Sequence, residues 1–299
     1  MVSHRADANA EDLFEVQSEI AELVVGALEP ELLRAERDRV ARVTTQVPSS
    51  YEDFMRGLWH HYQYTPEHNA EAVHWFRSAI AADRSNAQPH AALALAIHLA
   101  VQSDWRKDAE FSFEAGYELA RRAVELDSRD PLAHFALGAS CMWLGRIAEA
   151  ETEMEDAIGL NPSYAAAYAL NTFMKCYRGA FELALASGMK ALRLSPHDPR
   201  LSLWLPGIAA ACFHLERYDE AIAYGQKALA RRPGYGVPLR YVVAALGWLD
   251  RAGDAGLLVE QLRRIYRDAA GLEVVLRRFY THEPAISQIL GGVRRAGFQ

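Results

Sequence analysis

The chain has 299 residues, 51% of them apolar and 24% charged, and its net charge is −7. That composition is ordinary for a globular protein, and a negative balance argues against a phosphate-gripping surface over the whole molecule, so nucleic acid is not an expected partner. At this length a single compact core is strained, whereas a repeat array escapes the limit because each unit packs only on its neighbours.

Residues 1–10 are expected to be disordered, and residues 1–12 hold no apolar stretch, so no secretory signal is read there. From Glu11 the apolar residues Leu13, Val16, Ile20, Leu23, Ala27 and Leu28 recur at three and four, an amphipathic helix. Pro30 opens a second, with Leu32, Leu33, Val40 and Val43. Residues 11–47 therefore read as an N-terminal helical pair whose apolar face buries on the first repeat or across a homodimer. Val47-Pro48-Ser49-Ser50 is a linker, with Ser50 as the expected cap. Helices near Tyr51–Tyr64 and Asn69–Ala82 follow, with Thr65–His68 as the turn between them. The next helix, near Ala87–Val101, is apolar nearly all round and should be buried on both sides. The longest apolar run, Ala91–Val101, is interrupted by His98 and too short to span a bilayer, so no membrane association is expected. Ten extra residues, within 102–113, precede a helix around Glu114–Leu126.

Further units occupy about 131–163, 165–197, 199–234 and 236–268. Laid over each other at an offset of 34, the third and fourth match Gly145 with Gly179, Ala150 with Ala184, Ala157 with Ala191 and Pro162 with Pro196. One small residue recurs as Ala72, Gly116, Ala150, Ala184, Ala221 and Ala255, in steps of 44, 34, 34, 37 and 34. Seven residues further on stand Ala79, Ala123, Ala157, Ala191, Ala228 and Leu262. A period of 34 is the tetratricopeptide (TPR) length. The expected fold is all-α: a right-handed TPR-type α-solenoid of about six helix–turn–helix repeats over 48–268, with capping helices in 269–299 and no strands. Asp130-Pro131 and Asp198-Pro199 place an N-cap carboxylate before a proline at the first helical position, while Asn161-Pro162 and Arg232-Pro233 close the preceding helices. Cys141, Cys176 and Cys212 are 35 and 36 apart, which makes them equivalent first-helix positions in a reducing cytoplasm and not a disulfide or zinc set.

The opening DLFEVQSEIAELVVGALEPELLRAER, the phrase FMRGLWHHYQYTPEHNAEAVHWFRSAIAAD and the ending EPAISQILGGVRRAGFQ resemble the C-terminal TPR region of bacterial class III adenylate/guanylate cyclase-like proteins. Related arrays occur in TPR-bearing regulatory proteins. The resemblance covers about residues 11–299. It implies a signalling-associated interaction module without the catalytic domain, since nothing before Glu11 supplies a cyclase's metal-binding aspartates.

In TPR units the groove is lined by fixed positions of each first helix. Here these give His61, Tyr64, His98, Phe135, Met142, Trp143, Phe173, Tyr177, Phe213, His214, Arg240 and Trp248. Aromatic and Arg residues dominate binding hot spots, so this set is the expected groove for a protein or peptide. The same rings would also serve to pack on the next repeat or to hold a terminal helix of the same chain. The Lys/Asn set that clamps a C-terminal carboxylate in chaperone-binding TPRs is not in place. Six of the eleven histidines fall between His60 and His98, and Glu71 with His74 has the Glu-x-x-His spacing of di-iron bundles. No second copy accompanies it, and no phosphate loop or nucleophile motif is present, so neither cofactor nor catalysis is expected. The function read from sequence is a non-enzymatic scaffold. Alternatives are a metal-dependent enzyme using the His-rich first two repeats, and a sensor whose groove holds a small effector.

Overall fold

The structure, a computed structural model, describes residues 35, 49–106 and 108–299; the helical pair expected over 11–47, and the dimer contact proposed for it, lie outside the described residues save Ala35. Among the described residues there are fourteen helices and no strand. The first pairs are α1 (Ser50–His61) with α2 (Pro66–Ala82), α3 (Ala87–Gln102) with α4 (Phe113–Leu126), and α5 (Pro131–Trp143) with α6 (Ile147–Leu160). Then come α7 (Ala165–Tyr177) with α8 (Phe181–Leu194), α9 (Leu201–His214) with α10 (Tyr218–Arg231), and α11 (Gly236–Trp248) with α12 (Ala252–Tyr266). The chain ends in α13 (Ala269–Phe279) and α14 (Glu283–Arg295).

Each helix packs on the next in the chain, and each first helix also packs on the first helix of the following pair. The periodic small residues explain how. All twelve of those positions are buried, their side chains at 0–1% exposure where one exists, in the seams between helices. A larger side chain there overpacks the seam, at a cost of about 1–3 kcal/mol. First helices α3 and α9 are buried nearly all round, as expected of the inner layer.

The turn inside each pair is reversed by one residue in the left-handed region: Tyr64, Asp104, Gly145, Gly179, Glu216 and Asp250. Only two of the six are glycine, so the φ value alone does not demand one. What demands it is a crossing segment. A Cβ on Gly145 would lie 3.0 Å from the Arg278 carbonyl oxygen, and one on Gly179 2.7 Å from the His282 ring.

Helix starts differ in detail from the expectations. Ser49, not Ser50, caps α1: its hydroxyl accepts from the Glu52 amide while Glu52 accepts from the Ser49 amide, a reciprocal capping box. Thr65 caps α2 and Pro66 is its first residue, so most of the expected turn is already helix. Asp130 caps α5 through the Leu132 amide as expected. Asp198 instead receives the Arg200 amide and guanidinium, and α9 starts at Leu201. In the insertion, Phe111 is 2% exposed and plugs the core of the first two pairs, with the Arg106 guanidinium 3.7 Å from its ring centre.

Candidate functional site

The inner face is not an open trough. The Arg200 guanidinium sits 5.4 Å over the Tyr62 ring, and Arg232 Nη2 donates to Ser103 Oγ at 3.3 Å across 129 residues of sequence. These contacts bring the fifth pair against the first two, beside a partly open cavity of about 170 Å³. Eight of the twelve groove residues read from the sequence line it: His61, Tyr64, His98, Phe135, Met142, Trp143, Phe173 and Tyr177. Trp204, Tyr235, Leu95 and Val237, which the sequence reading did not single out, line it too.

Of the other four, His214 and Trp248 bond the chain's own C-terminal segment, Phe213 meets it through its carbonyl, and Arg240 reaches it only through Tyr241. Residues 278–292 run back along the ends of the first helices. Arg278 donates to the Trp143 carbonyl, and the Thr281 amide donates to the Tyr177 carbonyl at 3.0 Å. Trp248 Nε1 donates to the Gln288 carbonyl at 2.9 Å. The rings interleave. Trp143 stacks on Phe113 at 5.1 Å and meets Phe279 edge-on at 6.0 Å; Tyr177 lies between Phe279 (5.5 Å) and Tyr280 (4.9 Å). Further on, His214 stacks on Phe181 at 4.5 Å. Aromatic side chains at one late helix position thus form a ladder whose rungs include the C-terminal segment.

A buried hydrogen-bond chain runs through this clasp. Arg240 Nη2 donates to Tyr241 Oη (3.0 Å), which donates to Tyr280 Oη (2.8 Å), which donates to His214 Nε2 (2.8 Å). His214 Nδ1 then donates to Gln288 Oε1 at 2.9 Å, and Gln288 Nε2 donates to the Phe213 carbonyl. Each of these bonds has one donor and one acceptor only when the imidazole is neutral with its proton on Nδ1. Burial depresses His214 to about 4, and the nearby Arg240 and His282 push it the same way against the Gln288 bond.

Arg240 is 2% exposed, its Nε has no partner, and no carboxylate lies within ion-pair distance among the described residues. Its compensation is the Tyr241 ring, 4.8 Å from the guanidinium carbon, and the Tyr241 hydroxyl. Burying an uncompensated charge costs several kcal/mol, and apolar replacements of similar volume at buried ionic sites often stabilise. Arg240→Met is therefore expected to raise stability by about 1 kcal/mol or more in urea titrations. A loss of stability would mean that the tyrosine contacts outweigh the desolvation.

The Glu71–His74 pair is exposed on α2, and among the described residues it belongs to no group of three or more ligating side chains. Among the described residues His134, Glu153 and Asp156 do come together. His134 Nε2 donates to the Ser128 carbonyl at 3.0 Å, which leaves Nδ1 to face the Glu153 carboxylate at 2.7 Å and Asp156 at 3.9 Å. That short contact asks for a proton between nitrogen and oxygen. Burial alone would lower the His134 pKa, but the Ser128 bond and the two carboxylates outweigh it, and the pKa is raised. A raised folded-state pKa gives stability that is present below the ordinary histidine value and is lost as pH rises through the folded one. The α5–α6 pair should thus loosen on going from pH 6 to above neutrality, and His134→Gln should remove that slope in melts taken across the range.

The three cysteines are free and buried; burial pushes Cys141 up to about 12 and Cys212 to about 11, so neither is a thiolate nucleophile at neutral pH. No helix among the described residues is long and apolar enough to cross a membrane.

Six helix pairs stacked at a period near 34, with TPR proteins as structural neighbours, define a TPR-type α-solenoid. A chain from the functional characterisation of Pseudomonas aeruginosa PilF superposes with a TM-score of 0.51 at 18% identity, over 81% of this chain and 99% of its own. A chain of the APC/C hetero-tetramer Cut9–Hcn1 gives 0.59 at 15% identity, over 82% of this chain and 45% of its own. At these identities the likeness concerns the fold alone. The putative adenylate cyclase 3 of Rhizobium meliloti (strain 1021) is 27% identical over 149 residues, which is 50% of this chain and 25% of the relative's length. No family model matches the chain.

Proposed function

We propose that the chain is a non-catalytic protein-binding module of a bacterial signalling system, acting with a class III cyclase-like effector. The observation that carries the binding role is the clasp: the aromatic positions of successive first helices grip a peptide segment, residues 278–292, through both main-chain bonds and ring stacking. A groove that holds its own chain in this way has the chemistry to hold a partner segment in the same manner. The signalling context is supported by the match to a quarter of the rhizobial putative adenylate cyclase. Mixing the purified chain with the catalytic portion of that cyclase should give a complex by light scattering and a changed cyclase rate. No complex and no rate change would remove the cyclase context, while binding to a different signalling protein would retain the scaffold role.

A further inference from the structure

Away from the clasp and the cavity, the third helix pair turns three ligating side chains toward one point. His134, Glu153 and Asp156 each offer one ligand atom, and the three atoms lie within 4.8 Å of one another. Glu153 and Asp156 stand three residues apart on α6 and share a face, opposite His134 in the first turn of α5. The backbone beneath them is closely packed. Four residues on from His134, a Cβ on Gly138 would stand 3.1 Å from the Ala150 carbonyl oxygen and from Glu153 Cβ.

The imidazole is aimed from outside this group. Its Nε2–H donates to the Ser128 carbonyl at 3.0 Å, so Nδ1 faces Glu153 Oε2 at 2.7 Å, with Asp156 Oδ2 at 3.9 Å. A carbonyl on the far nitrogen is how metal-ligating histidines are commonly held, because it fixes the tautomer and orients the ring. A nitrogen lone pair against carboxylate oxygens needs a positive charge between them. Neither carboxylate pairs with an arginine or lysine among the described residues. A proton meets that need with one charge and one short contact; a divalent ion meets it with two charges and engages Asp156 as well.

The distances suit such an ion. Zinc holds nitrogen and oxygen ligands at about 2.0–2.2 Å, so neighbouring ligand atoms of a tetrahedral site stand about 3.3–3.5 Å apart. The separations of 2.7 and 3.9 Å lie on either side of that interval. Side-chain exposure rises from 10% at His134 and 22% at Glu153 to 54% at Asp156, so an ion would enter from the Asp156 side.

We propose that His134 Nδ1, Glu153 and Asp156 form a binding site for one divalent first-row transition-metal ion, zinc or its like, with the fourth position open to water. The imidazole disfavours magnesium and calcium, which take oxygen ligands. The site involves neither the clasp nor the cyclase context, so failure of either leaves it untouched.

The test titrates the full chain, stripped by a chelator, with zinc, cobalt and magnesium chlorides. Expected are one zinc per chain at micromolar metal with a raised Tm, a visible cobalt absorption band of low-coordinate strength, and no magnesium uptake at the same concentration. Asp156→Asn, at a half-exposed position, should leave the metal-free melt unchanged yet weaken zinc about tenfold or more, the scale seen even for partners behind a metal ligand. His134→Gln should abolish the cobalt band. The competing binder is the pair His60 and His68, whose Nδ1 atoms lie 2.8 Å apart. His68→Gln should leave the zinc affinity and the cobalt band as they are. No saturable zinc uptake, uptake unaffected by Asp156→Asn, loss of the cobalt band in His68→Gln, or magnesium competing on equal terms with zinc would each overturn the assignment.

Discussion

Acidification from pH 6.5 to 4 is expected to remove several kcal/mol of stability and to release the C-terminal clasp first. Two histidines are responsible. His214 and His98 are each held at about 4 by burial, against an ordinary value of 6.5. The folded state therefore binds fewer protons than the unfolded chain throughout that window. A depressed histidine contributes no penalty above 6.5; stability then falls as pH drops toward 4 and levels off below it. Each proton adds a slope of about 1.4 kcal/mol per pH unit, so a displacement of this size is worth about 3 kcal/mol per histidine. The structural consequence differs between the two. A protonated His214 presents N–H at both nitrogens, so the Tyr280 hydroxyl must turn away toward Tyr241. Tyr241 is then left with a hydroxyl hydrogen facing Arg240, which only donates. His214 keeps its bond to Gln288, and the unsatisfied hydrogen falls on Tyr241, beside the Tyr280 that carries the C-terminal segment. His214→Gln should lower stability at neutral pH but flatten the acid limb by about one proton, whereas His98→Leu should flatten it without affecting the clasp. Urea titrations at half-unit intervals, with Trp248 emission as the local probe, measure both; an unchanged slope in either variant would show that the histidine is not the titrating group.

The array itself was legible because its packing is local and periodic. Ala72, Ala150, Ala184, Ala221 and Ala255 sit in seams between consecutive helices, so a seam imposes the same residue size every 34 positions or so, whatever the distant chain does. The clasp was not legible in the same way. Its contacts join residues 39 to 135 positions apart and obey no period, as with Tyr241 and Tyr280 or Trp143 and Arg278. Gly145 and Gly179 illustrate the gap. Sequence shows them as matched turn residues, yet four other turns adopt the same left-handed conformation without glycine. The second reason for glycine, the passage of Arg278 and His282, exists only in the folded molecule. Trp143, Tyr177, His214 and Trp248 stand at the ends of their first helices, a pattern visible in the sequence, but nothing local distinguishes a ring that lines a cavity from one that holds residues 279–282. The carboxylate partners of His134 on α6 are not legible in the sequence because the pairing crosses between helices.

The largest mutational effect is expected at Gly247, where α11 and α14 meet backbone to backbone. A Cβ there would lie 1.9 Å from the Gly292 carbonyl oxygen and 2.9 Å from the Ala296 amide nitrogen. Gly292 reciprocates, since its own Cβ would stand 2.5 Å from the Ala244 carbonyl. Main-chain atoms inside two helices cannot swing aside as a side-chain tip can, so relief requires the helices to separate. Overpacking of a side-chain core costs about 1–3 kcal/mol, and a clash against backbone on both sides belongs at or above the top of that range. Gly247→Ala should therefore cost about 3 kcal/mol, and Gly247→Val should unseat α14 altogether. Because a solenoid holds together by nearest-neighbour contacts, the loss need not spread to the first pairs. The expected picture is an early transition seen by Trp248, which loses its bond to the Gln288 carbonyl, and rapid hydrogen exchange confined to α14 and the adjoining end of α11. A single cooperative melt displaced by less than about 0.5 kcal/mol, the scale of an ordinary surface change, would mean that the two helices do not approach this closely in solution. The same variant bears on the binding role. If the late repeats are freed when α14 leaves, Gly247→Val should bind the proposed partner more tightly than the parent chain, because on that proposal partner and clasp would compete for His214 and Trp248.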